Sequence, residues 1–466
     1  MNFISPLTRL CLVIALPLLL AGHGADARTL EQRLANGLLV VVKEDRRAPT
    51  AVHQVWYRVG SVDEQVGKTG VAHVLEHMMF KGTPRFGPGE FSRLITEIGG
   101  RENAFTDRDK TVYFQQVPRT ALTLAMELEA DRMANLSLPQ AEFAKEIRVV
   151  MEERRLRTED VPRALVEENL MASAYFAHSY GWPVVGWMND LQNMSVQDVR
   201  DWYRRWYAPN NAVVIIVGDV DASRVIEDAR RIYGKVPRRA VPSRRALVEP
   251  PQRGLRQVDV KAPAEQGYIL MGYKVPTVVN AEHDWEPYAI EVLATVLAGY
   301  DAARLNQLLV RERRIAHSVD ASYDGITRGP GMLYLEGVPA GDSGKLQSAL
   351  REQVAKLAAQ PVSADELERA KAQVVAHEVY ARDSLFQQAM EMGQFEAAGR
   401  SWRDAERVPE RLRAVTAEQL REVAQRYLNE DRLTVGVLEP QPTQPGARRA
   451  AASSEARTVP GEGGQH

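Results

Sequence analysis

The sequence predicts an α+β fold of two similar domains, each a mixed or antiparallel sheet with helices packed on one face. The first observation is an internal repeat. Residues 195–217 and 416–438 both read as an N-capped amphipathic helix, a polar turn and a β-branched strand. The two copies start 221 residues apart, about half of the 466-residue chain. Such spacing indicates a duplicated unit in which each half closes on the same helix–strand step.

The second observation is the order of the elements, which come in groups without strict βαβ alternation. In the first half we expect strands at residues 38–42, 51–59 and 110–117, and helices at 70–80, 88–98, 120–135 and 139–157. The second half repeats this coarse order, with strands near residues 266–273, 318–323 and 332–338. Grouped strands and helices favour an antiparallel or mixed sheet with helices on one face.

The third observation is a polar segment between the halves. Residues 237–245 and 249–254 are rich in proline and arginine and have no apolar period, which is typical of a linker. The composition after residue 440 is that of a disordered tail. We therefore predict a first domain at 28–236, a linker at 237–254, a second domain at 255–440, and a disordered tail at 441–466.

The first 27 residues have the pattern of a secretory signal peptide. Arg9 gives a positive start, residues 10–20 form an apolar run too short to span a bilayer comfortably, and residues 25–27 have the small-x-small form of a cleavage site. The only cysteine, Cys11, lies in that run, so the mature chain has no thiol for a disulfide, a metal or a nucleophile. We expect a periplasmic protein, since a cysteine-free chain suits an oxidising compartment.

The formal net charge is −2, so the composition offers no surface for a polyanion and excludes nucleic acid as an expected partner.

Residues 69–80 contain the candidate catalytic residues. His73 and His77 are four residues apart, so on a helix they lie on one face and can share a zinc ion. Glu76 lies near the same face and can act as a base beside the metal. The order His-x-x-Glu-His marks the inverzincins.

A catalytic zinc site needs three protein ligands and one open position. Without cysteine, the third ligand should be His, Asp or Glu, and the helical pattern at residues 142–157 offers Glu146, Glu152 and Glu153. Spacing does not choose among these three. The alternative is a chance histidine pair on a solvated helix. The residues around the pair are otherwise apolar, however, and ionisable groups on a largely buried helix need partners such as a metal.

At these residues the sequence resembles the pitrilysin, insulysin and mitochondrial processing peptidase family of inverted-motif zinc metallopeptidases, in its bacterial single-length form. The similar stretches are residues 70–83 (the active-site helix and its exit), 99–113 (the substrate-edge strand), 146–153 (the helix with the distal ligand) and 180–186. In the processing-peptidase type the ligand glutamate lies seven residues after a second glutamate. The resemblance therefore implies Glu153 on the metal and Glu146 behind it.

The resemblance also implies processing-peptidase-like domains and two facing chains that enclose a chamber for unfolded peptides or small polypeptides. A substrate would lie as an added strand on a sheet edge, with Asn103 and Ala104 on that edge. One zinc ion per chain would activate water, with Glu76 as general base. We therefore expect a zinc-dependent endopeptidase.

The second half departs from the family pattern at an expected Arg–Tyr pair that binds substrate. Arg311 matches the arginine, but His317 stands where the tyrosine is expected. The expected partner is therefore either a second copy of the chain or a related subunit that supplies the Arg and Tyr. Two alternatives to a self-sufficient enzyme follow: a zinc-bearing subunit that is inactive without that partner, and a non-catalytic peptide-binding scaffold.

Overall fold

The computed structural model describes residues 28–442, in which each half of the chain forms one sheet. The predicted signal peptide and the predicted tail beyond residue 442 lie outside the described residues. Within the described range, no helix has both the length and the apolar character that a membrane span requires.

The first sheet has six strands in the order β1-β2-β6-β3-β5-β4. Their bounds are β1 Thr29–Arg33, β2 Leu39–Glu44, β3 Thr50–Tyr57, β4 Arg101–Thr106, β5 Thr111–Pro118 and β6 Ala212–Gly218. Only the β2–β6 pair is parallel among these neighbours. Strand β4 pairs with β5 and has no second partner strand in the described part of the chain, so one of its edges is open.

Within the described residues, the first half has seven α-helices between β3 and β6 along the chain, and an eighth after β6. They are α1 Val71–Met78, α2 Glu90–Glu97, α3 Leu122–Asn135, α4 Gln140–Arg154, α5 Pro162–Ala174, α6 Met188–Asn193, α7 Val196–Trp206 and α8 Ala222–Ile232. Helices α1, α3, α4, α7 and α8 contribute buried residues to one large core that covers one face of the first sheet. The candidate motif is on α1, which therefore lies against this core.

The second sheet has five strands in the order β7-β11-β8-β10-β9. The strands are β7 Arg256–Pro263, β8 Tyr268–Val275, β9 Ala316–Tyr323, β10 Gly331–Pro339 and β11 Leu433–Gln441. The helices of this half are α9 Glu286–Ala298, α10 Ser343–Ala359, α11 Ala364–Ala381, α12 Leu385–Ala397, α13 Trp402–Ala405, α14 Val408–Ala414 and α15 Ala417–Tyr427. The strand order of the second sheet matches the order β2-β6-β3-β5-β4 of the first sheet. In both sheets the parallel pair lies at the same end.

The internal repeat corresponds to the step from α7 into β6 and from α15 into β11. Both helices begin with the same capping box: the hydroxyl of Ser195 accepts from the Asp198 N–H, and that of Thr416 accepts from the Gln419 N–H. Each helix then leads into a central strand whose core positions are buried. The predicted fold class of two similar α+β domains is confirmed.

The two halves exchange one helix each, a feature that the sequence did not predict. Helix α12 of the second half packs on β3 and β6 of the first sheet, through side chains such as Leu385, Ala389 and Met392. Helix α5 of the first half packs on β7, β8 and β11 of the second sheet. Each sheet is thus covered by its own helices on one face and by a helix of the other half on the opposite face.

The exchanged helix α12 lies very close to β3. A Cβ atom at Gly393 would fall inside van der Waals contact with the indole ring of Trp56. Trp56 is fully buried, so the ring has no free space into which it can move. Glycine is therefore required at this position by packing.

We expect Gly393→Ala to destabilise the protein. In an exposed helix the same change stabilises by about 1 kcal/mol, but here overpacking against Trp56 should dominate, with a net loss of about 1–3 kcal/mol. The thermal unfolding midpoint measures the effect. Trp56→Leu frees space beside Gly393. In the Trp56→Leu background, Gly393→Ala should therefore destabilise the protein less than it does in wild type. A Gly393→Ala variant more stable than wild type would contradict the described packing.

An ion pair between Arg328 and Asp63 joins the second domain to the first. Arg328, in the loop between β9 and β10, makes two 2.9 Å bonds to the Asp63 carboxylate. Its backbone N–H donates to Asp109 at 2.8 Å, in the turn between β4 and β5. Arg244, from the segment that joins the domains, also binds Asp63. Because the Asp63 side chain is only 4% exposed, these partners are needed to compensate its burial.

We expect Arg328→Met to lower the free energy of unfolding by about 2 kcal/mol or more, because it leaves the buried Asp63 carboxylate with two of the four hydrogen bonds that it makes in the described residues. Arg313→Met is the matched control, since Arg313 forms a two-bond pair with Glu352 on the surface and should change stability little. Thermal unfolding of both variants provides the measurement. Equal midpoints for the two variants would show that the Arg328 contact does not fasten the domains.

Candidate metal centre

Helix α1 is fixed at its N-terminus by a carboxylate from the preceding loop. Gly70, the N-cap residue, has φ 87°, a left-handed conformation that favours glycine. The Glu64 side chain accepts the N–H groups of Gly70 and Ala72, each at 2.9 Å. Burial raises the pKa of Glu64 to about 8, although these two backbone bonds oppose the shift. The Glu64 side chain therefore acts as an acceptor for N–H groups that the first turn of a helix leaves unpaired. Glu64 follows Asp63, so the helix cap adjoins the contact between the domains.

The two faces of α1 differ in burial. Val71, Val74, Leu75 and Met78 are buried in the core of the first domain. His73 and His77 lie on the other side, with ring centroids 4.8 Å apart, and are partly exposed. The spacing of four residues therefore brings the imidazoles together on one face.

Helix α4 brings a glutamate to these histidines. The Oε2 atom of Glu153 is 3.2 Å from His77 Nε2 and 3.7 Å from His73 Nε2. One ligand atom from each of the three residues lies within 4.8 Å of the other two. Among the described residues these three form the one such group of His, Asp and Glu.

The other two glutamates of α4 are placed differently. The carboxylate of Glu146 lies 3.3 Å from Nδ1 of His77 and also pairs with Lys81 at 2.5 Å. Glu146 therefore contacts the ring nitrogen of His77 that does not face Glu153. The side chain of Glu152 is 57% exposed and pairs with Arg155. Of the three candidates left open by spacing, the structure brings Glu153 to both histidines and directs Glu152 away.

Burial and charge set the protonation of this group. Burial, together with the nearby His77, lowers the pKa of His73 to about 4. Burial opposes the shift of Glu153, but its hydrogen bond with His77 and the charges nearby lower its pKa to about 2. For His77, burial is also outweighed, and the bonds to Glu153 and Glu146 raise its pKa. A neutral His73 and an ionised Glu153 are the forms that bind a cation, while His77 would release its proton.

The three residues fit a zinc ion by donor type and by surroundings. Two imidazole nitrogens and one carboxylate oxygen are a usual zinc donor set, and three ligands leave one position open, as in catalytic sites. The Nδ1 atom of His73 is buried without a hydrogen-bond partner in the described residues. The ring therefore makes its polar contact through Nε2, the nitrogen that faces Glu153.

Glu76 lies on α1 between the two histidines and is 8% exposed. Its Oε2 accepts a 2.6 Å hydrogen bond from the hydroxyl of Thr106, at the end of β4. Burial raises the pKa of Glu76, although the bond from Thr106 partly opposes this shift. A raised pKa brings a carboxylate closer to the range in which a general base works best near neutral pH.

The predicted substrate residues lie on the open strand. Asn103 and Ala104 are on β4, opposite Phe114 and Tyr113 of β5. Asn103 is exposed, while Ala104 is partly buried against the core. The Ala104 N–H donates to the side-chain oxygen of Asn103 at 2.9 Å. β4 is the edge strand of the described sheet, and an open strand edge can pair with another extended chain.

Arg311 and its neighbour His317 lie in the second domain. Arg311 is in a π-helical turn, Asn306–Glu312, and is exposed. His317 is on β9, which occupies the same edge position in the second sheet as β4 in the first. Among the hydrogen bonds and ion pairs of residues 28–442, none joins Arg311 or His317 to His73, His77 or Glu153.

Sequence reasoning missed three residues of the site: Glu64, Lys81 and Thr106. Glu64 is six residues before the N-cap residue Gly70, beyond the usual range of a local cap, and Lys81 meets Glu146 only through tertiary packing. Thr106 could have been predicted from the strand pattern of the sequence. It is two residues after Ala104 in a strand, so both side chains lie on one face.

Two duplicated α+β domains, with a His-x-x-Glu-His helix that faces a distal glutamate, define a class of protein with an inverted zinc motif. Residues 39–186 match the family model described as Insulinase (Peptidase family M16). Residues 193–374 match that described as Peptidase M16 inactive domain. The chain therefore belongs to the insulinase family, peptidase family M16, and the resemblance seen in the sequence is confirmed.

Individual relatives agree with this assignment. The zinc protease PqqE of Helicobacter pylori is 34% identical over 288 residues, which cover 61% of this chain and 64% of that protein, just under two thirds of its length. The crystal structure of a protease from Helicobacter pylori superposes with a TM-score of 0.84 at 27% identity, over 89% of this chain and 100% of that one. The periplasmic protease PqqL from Escherichia coli has a TM-score of 0.74 at 20% identity, over 94% of this chain and 52% of its own.

We expect Glu153→Gln to weaken zinc binding by more than about 100-fold, since it removes the charged oxygen that faces both histidines. Glu146→Gln should weaken it roughly 10- to 100-fold, as is typical for a group that orients a ligand. Glu152→Gln is the control in the same helix and should bind zinc like wild type. Zinc affinity is measured by competition with a chromogenic chelator. Equal weakening by Glu152→Gln and Glu153→Gln would contradict the described arrangement.

Proposed function

We propose that this chain is a zinc-dependent endopeptidase that hydrolyses unfolded peptides or small polypeptides. The observation that carries this proposal is the convergence of His73, His77 and Glu153, with the carboxylate of Glu76 on the same helix between the two histidines. Membership of peptidase family M16 supports it, as does the name of the relative PqqE, a zinc protease.

The residues have separate tasks in the proposed reaction. His73 Nε2, His77 Nε2 and Glu153 Oε2 would hold one zinc ion per chain. When bound, zinc supplies a Lewis acid that polarises a scissile carbonyl and acidifies water. Glu76 accepts the proton of the attacking water and transfers it to the leaving amine. Glu146 accepts the Nδ1–H of His77 and so keeps the Nε2 atom directed at Glu153.

The proposed substrate site is the open edge of β4. A peptide could pair with the backbone of Asn103 and Ala104, and the strand ends at Thr106, which contacts Glu76. Backbone pairing gives affinity with little dependence on sequence. It also requires an extended segment, which supports a preference for unfolded substrates over folded ones.

The length of one structural relative supports a paired assembly. PqqL, matched at the level of the fold, is about twice as long as the matched part, so two such two-domain units can exist in one chain. We propose that this chain pairs with a second copy or a related subunit to enclose a chamber. The proposed location is the periplasm, which rests on the predicted signal peptide.

A second candidate function is favoured by one observation, the histidine at position 317. If substrate binding needs a tyrosine there, the chain is a zinc-bearing subunit that is inactive until a partner supplies an Arg–Tyr pair. A non-catalytic peptide-binding scaffold is the further alternative. The presence of Glu76 in a buried, oriented position supports catalysis over a scaffold.

The test is cleavage of a mixed library of unfolded peptides by the purified chain loaded with zinc. We expect Glu76→Gln to lower kcat by roughly 100- to 10,000-fold, because general base catalysis is lost. A chelator should abolish cleavage. Glu152→Gln is the matched control and should cleave like wild type.

Other outcomes separate the alternatives. Peptide binding and zinc binding without cleavage by wild type would favour the partner-dependent subunit, and cleavage on addition of an Arg–Tyr subunit would establish it. Cleavage that survives Glu76→Gln would contradict the proposed role of Glu76.

A further inference from the structure

The carboxylate of Glu76 has a single hydrogen-bond donor in the described part of the chain. The Thr106 hydroxyl donates to Oε2 at 2.6 Å, while Oε1 has no partner there. A buried carboxylate normally gathers several donors, since each lost bond to water must be replaced. The one bond therefore has a strong influence on the direction in which the carboxylate points.

Thr106 is itself held in place by the sheet. It is the last residue of β4 and lies opposite Thr111 of β5. Thr111 is fully buried, and its hydroxyl donates to the carbonyl of Val59 at 3.0 Å. The Thr111 oxygen can then only accept from Thr106, and it lies 3.5 Å from the Thr106 hydroxyl. The Glu76 Oε2 atom is much closer, at 2.6 Å, so the Thr106 proton is directed at the carboxylate.

The strand also fixes which side Thr106 faces. Alternation along β4 places Ala104 and Thr106 on the same face, and Ala104 packs against the core that contains α1. Phe105, the residue between them, packs on the opposite face beside Trp56. Thr106 therefore approaches α1 from a strand that is paired with β5.

We propose that Thr106 is a positioning residue for the general base, an inference that rests on the proposed function. Its hydroxyl holds Oε2 of Glu76 and leaves Oε1 as the free acceptor for the proton of water. The same strand is the proposed peptide-binding edge. Substrate binding and the orientation of the base therefore depend on one strand, whose backbone serves the peptide and whose last side chain serves Glu76.

The two roles of β4 can be separated by mutation. Thr106→Val keeps the β-branched shape that suits a strand but removes the donor. Thr106→Ser keeps the donor. Thr83→Val is the matched control: the Thr83 hydroxyl also donates to a carboxylate at 2.6 Å, that of Asp131, at a position away from the three candidate ligands.

With the zinc-loaded full chain, we expect Thr106→Val to lower kcat roughly 10- to 100-fold, as a displaced catalytic group does. KM for an unfolded peptide should stay within about twofold, because peptide pairing uses the backbone of β4. Zinc affinity should equal that of wild type, since Thr106 contacts none of the three candidate ligands. Thr106→Ser should restore most of kcat, and Thr83→Val should leave kcat unchanged.

Three results would overturn the inference: an unchanged kcat in Thr106→Val, an equal loss in Thr106→Ser, or an equal loss in Thr83→Val. A wild-type chain that binds zinc but cleaves nothing would count against the proposed function and not against Thr106. In that case crystal structures of wild type and Thr106→Val decide. The inference requires the Glu76 carboxylate to leave its place in the variant, and an unmoved carboxylate would refute it.

Discussion

Helix α1 carries three ionisable side chains, His73, Glu76 and His77, into a partly buried region, and most of the first domain can be understood as support for that helix. Burial makes an unpaired charge costly, so each group needs a partner. Glu153 on α4 faces both histidines, and Thr106 on β4 bonds to Glu76. These two partners come from α4 and β4, which are distant in sequence from α1 and from each other. The site therefore exists only when helix, strand and sheet are assembled.

The assembly is stabilised by contacts between the domains as well as within them. Helices α5 and α12 are exchanged, so each sheet needs the other half of the chain to cover its second face. Arg328 binds Asp63. The next residue in the chain, Glu64, caps α1. Arg328 also binds the turn that follows β4. The second domain, which contributes none of the three candidate metal ligands, thereby restrains both elements that bring Glu76 and Thr106 together.

Local patterns predicted much of this architecture. The N-capped helices that begin after Ser195 and Thr416, each followed by a β-branched strand, were sufficient to indicate duplication, because caps and periodicity depend on neighbouring residues. The exchange of helices could not be predicted in this way. Gly393 reads as a weak point in a helix, and only the Trp56 ring that packs on it explains the choice. Which surface an apolar helix face covers is decided by the partner and not by the helix.

For the site, the sequence by itself determined the pair of histidines and the neighbouring glutamate, since residues four apart on a helix share a face. It left Glu146, Glu152 and Glu153 equal as candidates until family resemblance was considered. Tertiary structure decided among them by geometry: it turned Glu153 to the histidines, placed Glu146 behind His77 and left Glu152 in solvent. It also brought Thr106 to Glu76. The physical reason is that periodicity fixes directions within one helix, whereas the meeting of two elements depends on how the whole core packs.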